Sequence, residues 1–179
     1  SFTGLGDKEF CIEEPAVDLV GTPLADNSTT FGKFSIPGTP DDIEDSQIEF
    51  DPQRAYNATA QAGDSVVKAF VTFEYTNVLG CENSVMDSVI IHDRPTVFFS
   101  GFNASQTYCM NDAEINLVGR SPEGNPVSFI GNGIIQDNGD GTAVYSPRQA
   151  LINLGLDTLS DSGIDEVRYA YTDIHGCVD

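Results

Sequence analysis

Phe10-Cys11-Ile12-Glu13-Glu14-Pro15-Ala16-Val17-Asp18-Leu19-Val20-Gly21 returns later in the chain as Tyr108-Cys109-Met110-Asn111-Asp112-Ala113-Glu114-Ile115-Asn116-Leu117-Val118-Gly119. A second stretch, Phe73-Glu74-Tyr75-Thr76-Asn77-Val78-Leu79-Gly80-Cys81, returns as Tyr169-Ala170-Tyr171-Thr172-Asp173-Ile174-His175-Gly176-Cys177. Two anchors that recur together mark a tandem array of two domains, 1–93 and 94–179. Copied β modules of this kind carry or bind; they seldom catalyse.

Working outward from the anchors, alternation dominates. Val71, Phe73 and Tyr75 fall on one face of Ala69–Thr76, and Val167, Tyr169 and Tyr171 on one face of Asp165–Thr172, so both read as half-buried strands. Val17–Val20 and Ile115–Val118 do the same and end at Gly21 and Gly119. Further strands are expected at Lys33–Ile36 and Val127–Ile130, at Gln47–Phe50 and Thr142–Tyr145, at Ser84–Ile91, and at Thr96–Phe99. Each repeat then holds about seven short strands between Gly, Pro, Asn and Asp turns, the pattern of an immunoglobulin-like β-sandwich. Phe2-Thr3 reads as a truncated first strand, and the second repeat lacks a counterpart of Ser84–Ile91, so the chain is expected to be a segment of a longer array. No long helix is expected: Arg148–Leu159 has room for one turn, but Asn153 and Gly155 interrupt any sustained helical stripe.

The net charge of -20, from 28 acidic and 8 basic residues, excludes ordinary nucleic-acid binding and docking on anionic lipid. It keeps an extended array soluble and self-repelling. No window approaches 18 consecutive apolar residues, so no insertion into a membrane is expected.

Cys11, Cys81, Cys109 and Cys177 lie too far apart in sequence for a zinc or redox motif. Four cysteines allow three pairings. The repeat favours Cys11–Cys81 and Cys109–Cys177, one disulfide per module, each closing a loop worth roughly 4 kcal/mol in the chain-entropy model. Paired cysteines imply an oxidising compartment.

No catalytic constellation emerges: His92 and His175 occupy non-equivalent positions, and no nucleophile elbow is present. The reading is that the chain is no enzyme. Calcium is the one cofactor the acidic composition suggests, since it takes hard oxygen ligands. Its candidate ligands are Asp41 and Asp42 in a loop special to the first repeat, Asp93 at the junction, and Asp137 and Asp140 in Asp137-Asn138-Gly139-Asp140-Gly141-Thr142. A tight hairpin turn explains that last segment equally. The copies differ most at Pro23–Thr30, Pro40–Ser46 and Gln149–Ser162, where a partner's contacts would be built, with Phe31 and Phe102 as candidate exposed aromatics.

Aromatic-Cys-x-x-[Asp/Glu], Leu-x-Gly, Phe-x-x-x-Gly, aromatic-x-Pro and Tyr-Thr-[Asn/Asp]-x-x-Gly-Cys together resemble the repeat of very large secreted proteins of Bacteroidetes, nearest to flavobacterial gliding-motility surface adhesins. The pattern falls on Cys11, Glu14, Leu19, Gly21, Phe34, Gly38, Phe50, Pro52, Tyr75, Thr76, Gly80 and Cys81. It falls again on Cys109, Asp112, Leu117, Gly119, Phe129, Gly133, Tyr145, Pro147, Tyr171, Thr172, Gly176 and Cys177. The resemblance implies a non-catalytic segment of an extracellular adhesin on a Gram-negative surface, exported by the type IX route. Its partners would be neighbouring repeats and surface polysaccharide. A purely structural spacer, or an accessory module of a secreted hydrolase, is the alternative. The resemblance also implies O-glycosylation at Ser65, Ser88 and Thr158, each in an Asp-Ser/Thr-aliphatic triplet.

Overall fold

The computed structural model describes residues 1–6, 8–26, 28–40, 45–103, 106–120, 127–156 and 161–179, which fall into two units, Ser1–Arg94 and Pro95–Asp179. The first unit contains β1 (Phe2–Thr3), β2 (Glu9–Cys11), β3 (Val17–Gly21), β4 (Phe31–Ser35), β5 (Gln47–Phe50), α1 (Pro52–Thr59), β6 (Val66–Thr76) and β7 (Glu82–His92). Its strands form a three-stranded sheet, β1-β3-β5, and a four-stranded sheet, β2-β7-β6-β4. This is a β-sandwich whose longest ladder is the hairpin of β6 and β7, paired from Val66↔His92 to Thr76↔Glu82. Period-2 alternation explains the inward face: Val67, Ala69, Val71 and Phe73 are buried while Lys68, Phe70 and Glu74 are exposed. They meet Leu19, Phe34, Phe50, Val89 and Ile91. The Phe34 and Phe73 rings lie 4.8 Å apart, and those of Phe10 and Phe50 5.4 Å apart.

The second unit contains β8 (Phe98–Ser100), β9 (Ile115–Arg120), β10 (Val127–Ile130), β11 (Ile134–Asp137), β12 (Thr142–Tyr145), α2 (Pro147–Asn153) and β13 (Arg168–Tyr171). Sheet β11-β12-β9-β8 packs its apolar residues with the antiparallel pair β10-β13. Leu117, Val127, Phe129, Tyr145, Tyr169 and Tyr171 fill the core.

Two short helices are present, α1 where no helix is expected and α2 where the sequence leaves room for one turn. In both, a strand runs into a capping residue followed by proline: the Asp51 carboxylate accepts from the Arg54 amide at 3.0 Å, and Ser146 Oγ from the Gln149 amide at 3.4 Å. Proline at the first helical position sacrifices no hydrogen bond there, so Asp51-Pro52 and Ser146-Pro147 are helix starts as well as strand ends. Strand β11 was also missed, its apolar Ile134 and Ile135 being hidden beside Gly131-Asn132-Gly133.

The larger correction concerns Cys11. To bond Cys81, Cys11 has to lie at the same end of the sandwich. Instead it closes a separate strand, β2, which pairs in parallel with β7 so that Phe10 faces Ile91 and Cys11 faces His92. Cys81 precedes Glu82, the opposite end of the same strand. Ten residue steps at about 3.3 Å each separate those ends by roughly 33 Å. A disulfide needs α-carbons within about 7 Å. The bond Cys11–Cys81 is therefore excluded by the fold. Cys81 and Cys109 are indeed free and exposed, so Cys109–Cys177 is not formed either. Cys11 and Cys177 are the cysteines in disulfide form.

Two glycines are set by close approach. A methyl group on Gly21 would lie 2.2 Å from the Phe73 ring, and one on Gly119 2.2 Å from the Tyr169 ring. Gly21→Ala and Gly119→Ala should each lower the stability of their own unit by about 1–3 kcal/mol through overpacking, as read by urea unfolding. Gly6→Ala, whose added methyl meets nothing within 4 Å, should leave the transition unmoved.

Candidate functional site

The cysteine turns are built the same way in both units. Asn77 Oδ1 accepts from the Leu79 amide at 2.9 Å and the Cys81 amide at 3.0 Å, and the Asn77 amide donates to the Cys81 carbonyl at 3.0 Å. Asp173 Oδ1 accepts from the His175 amide at 2.9 Å and the Cys177 amide at 2.8 Å, and its own amide donates to the Cys177 carbonyl at 2.9 Å. Gly80 (φ 76°) and Gly176 (φ 89°) supply the left-handed residue each turn requires. Asn and Asp are interchangeable here because only a side-chain oxygen two to four residues before the amides is needed.

The other cysteine of each unit sits in a reciprocal turn. The Cys11 amide donates to Glu14 Oε1 at 3.0 Å while the Glu14 amide donates to the Cys11 carbonyl at 3.0 Å. The Cys109 amide donates to Asp112 Oδ2 at 2.7 Å and receives the matching bond, Asp112 amide to Cys109 carbonyl, at 2.9 Å. The Cys-x-x-[Asp/Glu] spacing is thus a structural device: the carboxylate reaches back to cap the cysteine's own amide.

Among the divergent loops, Pro23–Thr30 is organised by Asp26. Its carboxylate accepts from the Ser28, Thr29 and Thr30 amides at 2.8–3.0 Å and from the hydroxyls of Thr29 (2.7 Å) and Thr30 (3.1 Å). The Thr29 amide leads these donors in holding Asp26 well below the usual carboxylate range. At the base of the loop, buried Ser46 accepts the Ala25 amide at 2.9 Å.

The second unit carries a groove of about 740 Å³ walled by Phe99, Phe102, Tyr108, Met110, Tyr145 and Leu151, with Cys109 on its lining. Phe102 is half-buried rather than exposed: its ring lies 4.9 Å from Tyr145 and 5.9 Å from Tyr108. Phe31 is the exposed aromatic of the two, at 39%. Burial, helped by the nearby Asp165 carboxylate, pushes the Tyr145 phenol up to about 12.

Three of the carboxylates considered for calcium, Asp93, Asp137 and Asp140, accept hydrogen bonds from protein donors. Asp137 accepts from the Phe129 amide at 3.0 Å and the Gly139 amide at 3.1 Å, and Asp140 from the Thr142 amide at 2.9 Å and hydroxyl at 2.6 Å. Gly139 (φ 68°) and Gly141 (φ 88°) complete a hairpin turn between β11 and β12. Asp93 accepts from the Arg94 amide at 2.8 Å. Among the described residues, none of these three belongs to a convergent set of three carboxylate, His or Cys ligands. Asp41, Asp42 and Thr158 lie outside the described residues. Ser65 is exposed, and Ser88 is half-buried in β7 opposite Phe70.

No protein-family model matches the chain, and no functionally curated protein matches it. Two solved structures show remote likeness. One is the SGBP-B protein of the Bacteroides ovatus mixed-linkage glucan utilization locus, in complex with a mixed-linkage heptasaccharide: 12% identity, TM-score 0.28, 99% of this chain and 45% of that one. The other is the human desmocollin-1 ectodomain: 12% identity, TM-score 0.26, 92% of this chain and 31% of that one. The chain spans less than half the length of either. At these scores the likeness carries no argument about function.

The folded state favours the neutral Tyr145 phenol, so its contribution is complete below pH 10 and is lost as pH rises through about 12. Wild type should lose stability to alkali more steeply than Tyr145→Phe between pH 10 and 12, as followed by urea midpoints across that range. Parallel slopes would show that this phenol is not held neutral.

Proposed function

We propose that the chain is a non-catalytic segment of a long extracellular repeat protein, serving as stalk and contact surface of a cell-surface adhesin involved in gliding or attachment. The observation that carries this reading is the matched construction of the two units. Each has the same pair of cysteine turns, the same glycine packed against an aromatic ring and the same capped helix after an aromatic-x-Pro strand end. Copying a module extends a scaffold by repeating the same packing unit.

Three further features support the setting. The disulfide form of Cys11 and Cys177 belongs to an oxidising compartment. The charge of -20 suits a surface array kept extended by self-repulsion. No helix among the described residues is long and apolar enough to cross a membrane. With the resemblance of the sequence motifs, these favour a bacterial outer surface, type IX export and surface polysaccharide as the contacted partner. The organised Asp26 loop favours contact over pure spacing, because a five-bond network fixes a loop that packing alone does not require.

Beads coated with the chain should adhere to polysaccharide-coated glass, and Asp26→Ala, which releases the loop, should reduce retention under flow by several-fold. Retention equal to that of albumin-coated beads on every polysaccharide tried would leave the spacer reading in its place.

A further inference from the structure

Position by position, Cys109 corresponds to Cys11 and Cys81 to Cys177. The turns confirm this correspondence hydrogen bond by hydrogen bond. Yet one member of each class is in disulfide form and the other is a free, exposed thiol. Within the first unit the two classes sit at opposite ends of β7, too far apart to bond to each other. Neither cysteine of the first unit can therefore find its partner within its own module.

The surroundings of the two free thiols are complementary. Cys81 ends a turn whose tip, Val78 and Leu79, is 67% and 83% exposed. An apolar pair so displayed is costly in water and is commonly a contact surface. Cys109 lies on the aromatic groove bounded by Phe99, Phe102, Tyr108 and Met110, which is wide enough, at about 740 Å³, to take two aliphatic side chains. One thiol stands beside an apolar projection and the other beside an apolar recess.

We propose that Cys81 and Cys109 are heterotypic linkage points between copies of this module: the Val78-Leu79-Gly80-Cys81 turn of one copy seats in the groove beside Cys109 of another, and the two sulfurs form a disulfide. The occupant of the groove is thus a second copy of this chain. The contact is head-to-tail, so it propagates as an open chain and does not close as a symmetric dimer. The inference rests on the repeat-array reading and adds the covalent chemistry that would join its members.

The bond requires an oxidant, here a low-molecular-weight disulfide such as oxidised glutathione. Cys109 thiolate attacks one of its sulfurs, giving a mixed disulfide and one released glutathione thiolate. Cys81 thiolate then attacks the Cys109 sulfur and expels the second. Two protein thiols lose two protons and two electrons, and one glutathione disulfide becomes two glutathione molecules.

The test uses the full chain as Cys81→Ser and Cys109→Ser variants, each in a glutathione redox buffer and then mixed, with products separated on non-reducing gels. Both positions are exposed turn residues, so the variants keep the fold. Each variant alone should stay largely monomeric, whereas the mixture should give a Cys81–Cys109 heterodimer exceeding either homodimer by about ten-fold, what a modest docking preference yields. Adding Val78→Ser and Leu79→Ser to the Cys109→Ser partner should bring the mixture back to homodimer levels. Homodimers as abundant as the heterodimer, or no dimer in the mixture, would overturn the proposal. Either failure would leave polysaccharide adhesion by the single chain unaffected, so the two ideas fail separately.

Discussion

The parallel pairing of Glu9–Cys11 with the end of β7 is the constraint on which the rest of the first unit depends. It inserts a short strand before β3 and delivers Phe10 into the core against Phe50. It also fixes which end of the sandwich each cysteine occupies. Once β7 runs eleven residues alongside β6, Cys11 at its finish and Cys81 before its start cannot meet. The first unit therefore holds its two sulfurs at opposite ends, where they cannot staple it internally.

Stability within each module then rests on aromatic packing. Phe34 and Phe73 form the centre of the first core, and Phe129 and Tyr169, 4.7 Å apart, that of the second. The glycines beneath Phe73 and Tyr169 are the space those rings occupy. Charge contributes little to this balance: Lys8 with Asp87 and Arg168 with Glu166 are exposed pairs in a chain dominated by carboxylates. Many of those carboxylates, such as Asp26, Glu14, Asp112 and Asp173, act locally by accepting backbone amides. They shape loops that metal ions shape in other proteins.

Where one alternating run had one partner face, the sequence was legible. Val127–Ile130 and Thr142–Tyr145 form strands over the expected residues, and Gly21 and Gly119 end theirs near the expected places. Cys11 was misplaced because three residues are too few to show a period, and parallel pairing with a strand some eighty residues away leaves no local trace. The helices are hard to read for a different reason: Asp51-Pro52 and Ser146-Pro147 serve two elements at once, ending a strand and starting a helix. For the candidate site, residue identity was visible but pairing was not. The repeat shows which cysteines correspond, while only strand direction shows which can touch.

The most direct test of this account is the position of Cys11 relative to β7 in solution. On the isotopically labelled chain, backbone nuclear Overhauser contacts should run from Phe10 and Cys11 to Ile91 and His92, with none from Cys11 to the Asn77–Cys81 turn. Contacts between Cys11 and that turn, with Ile91 and His92 silent, would contradict the strand order and everything inferred from it.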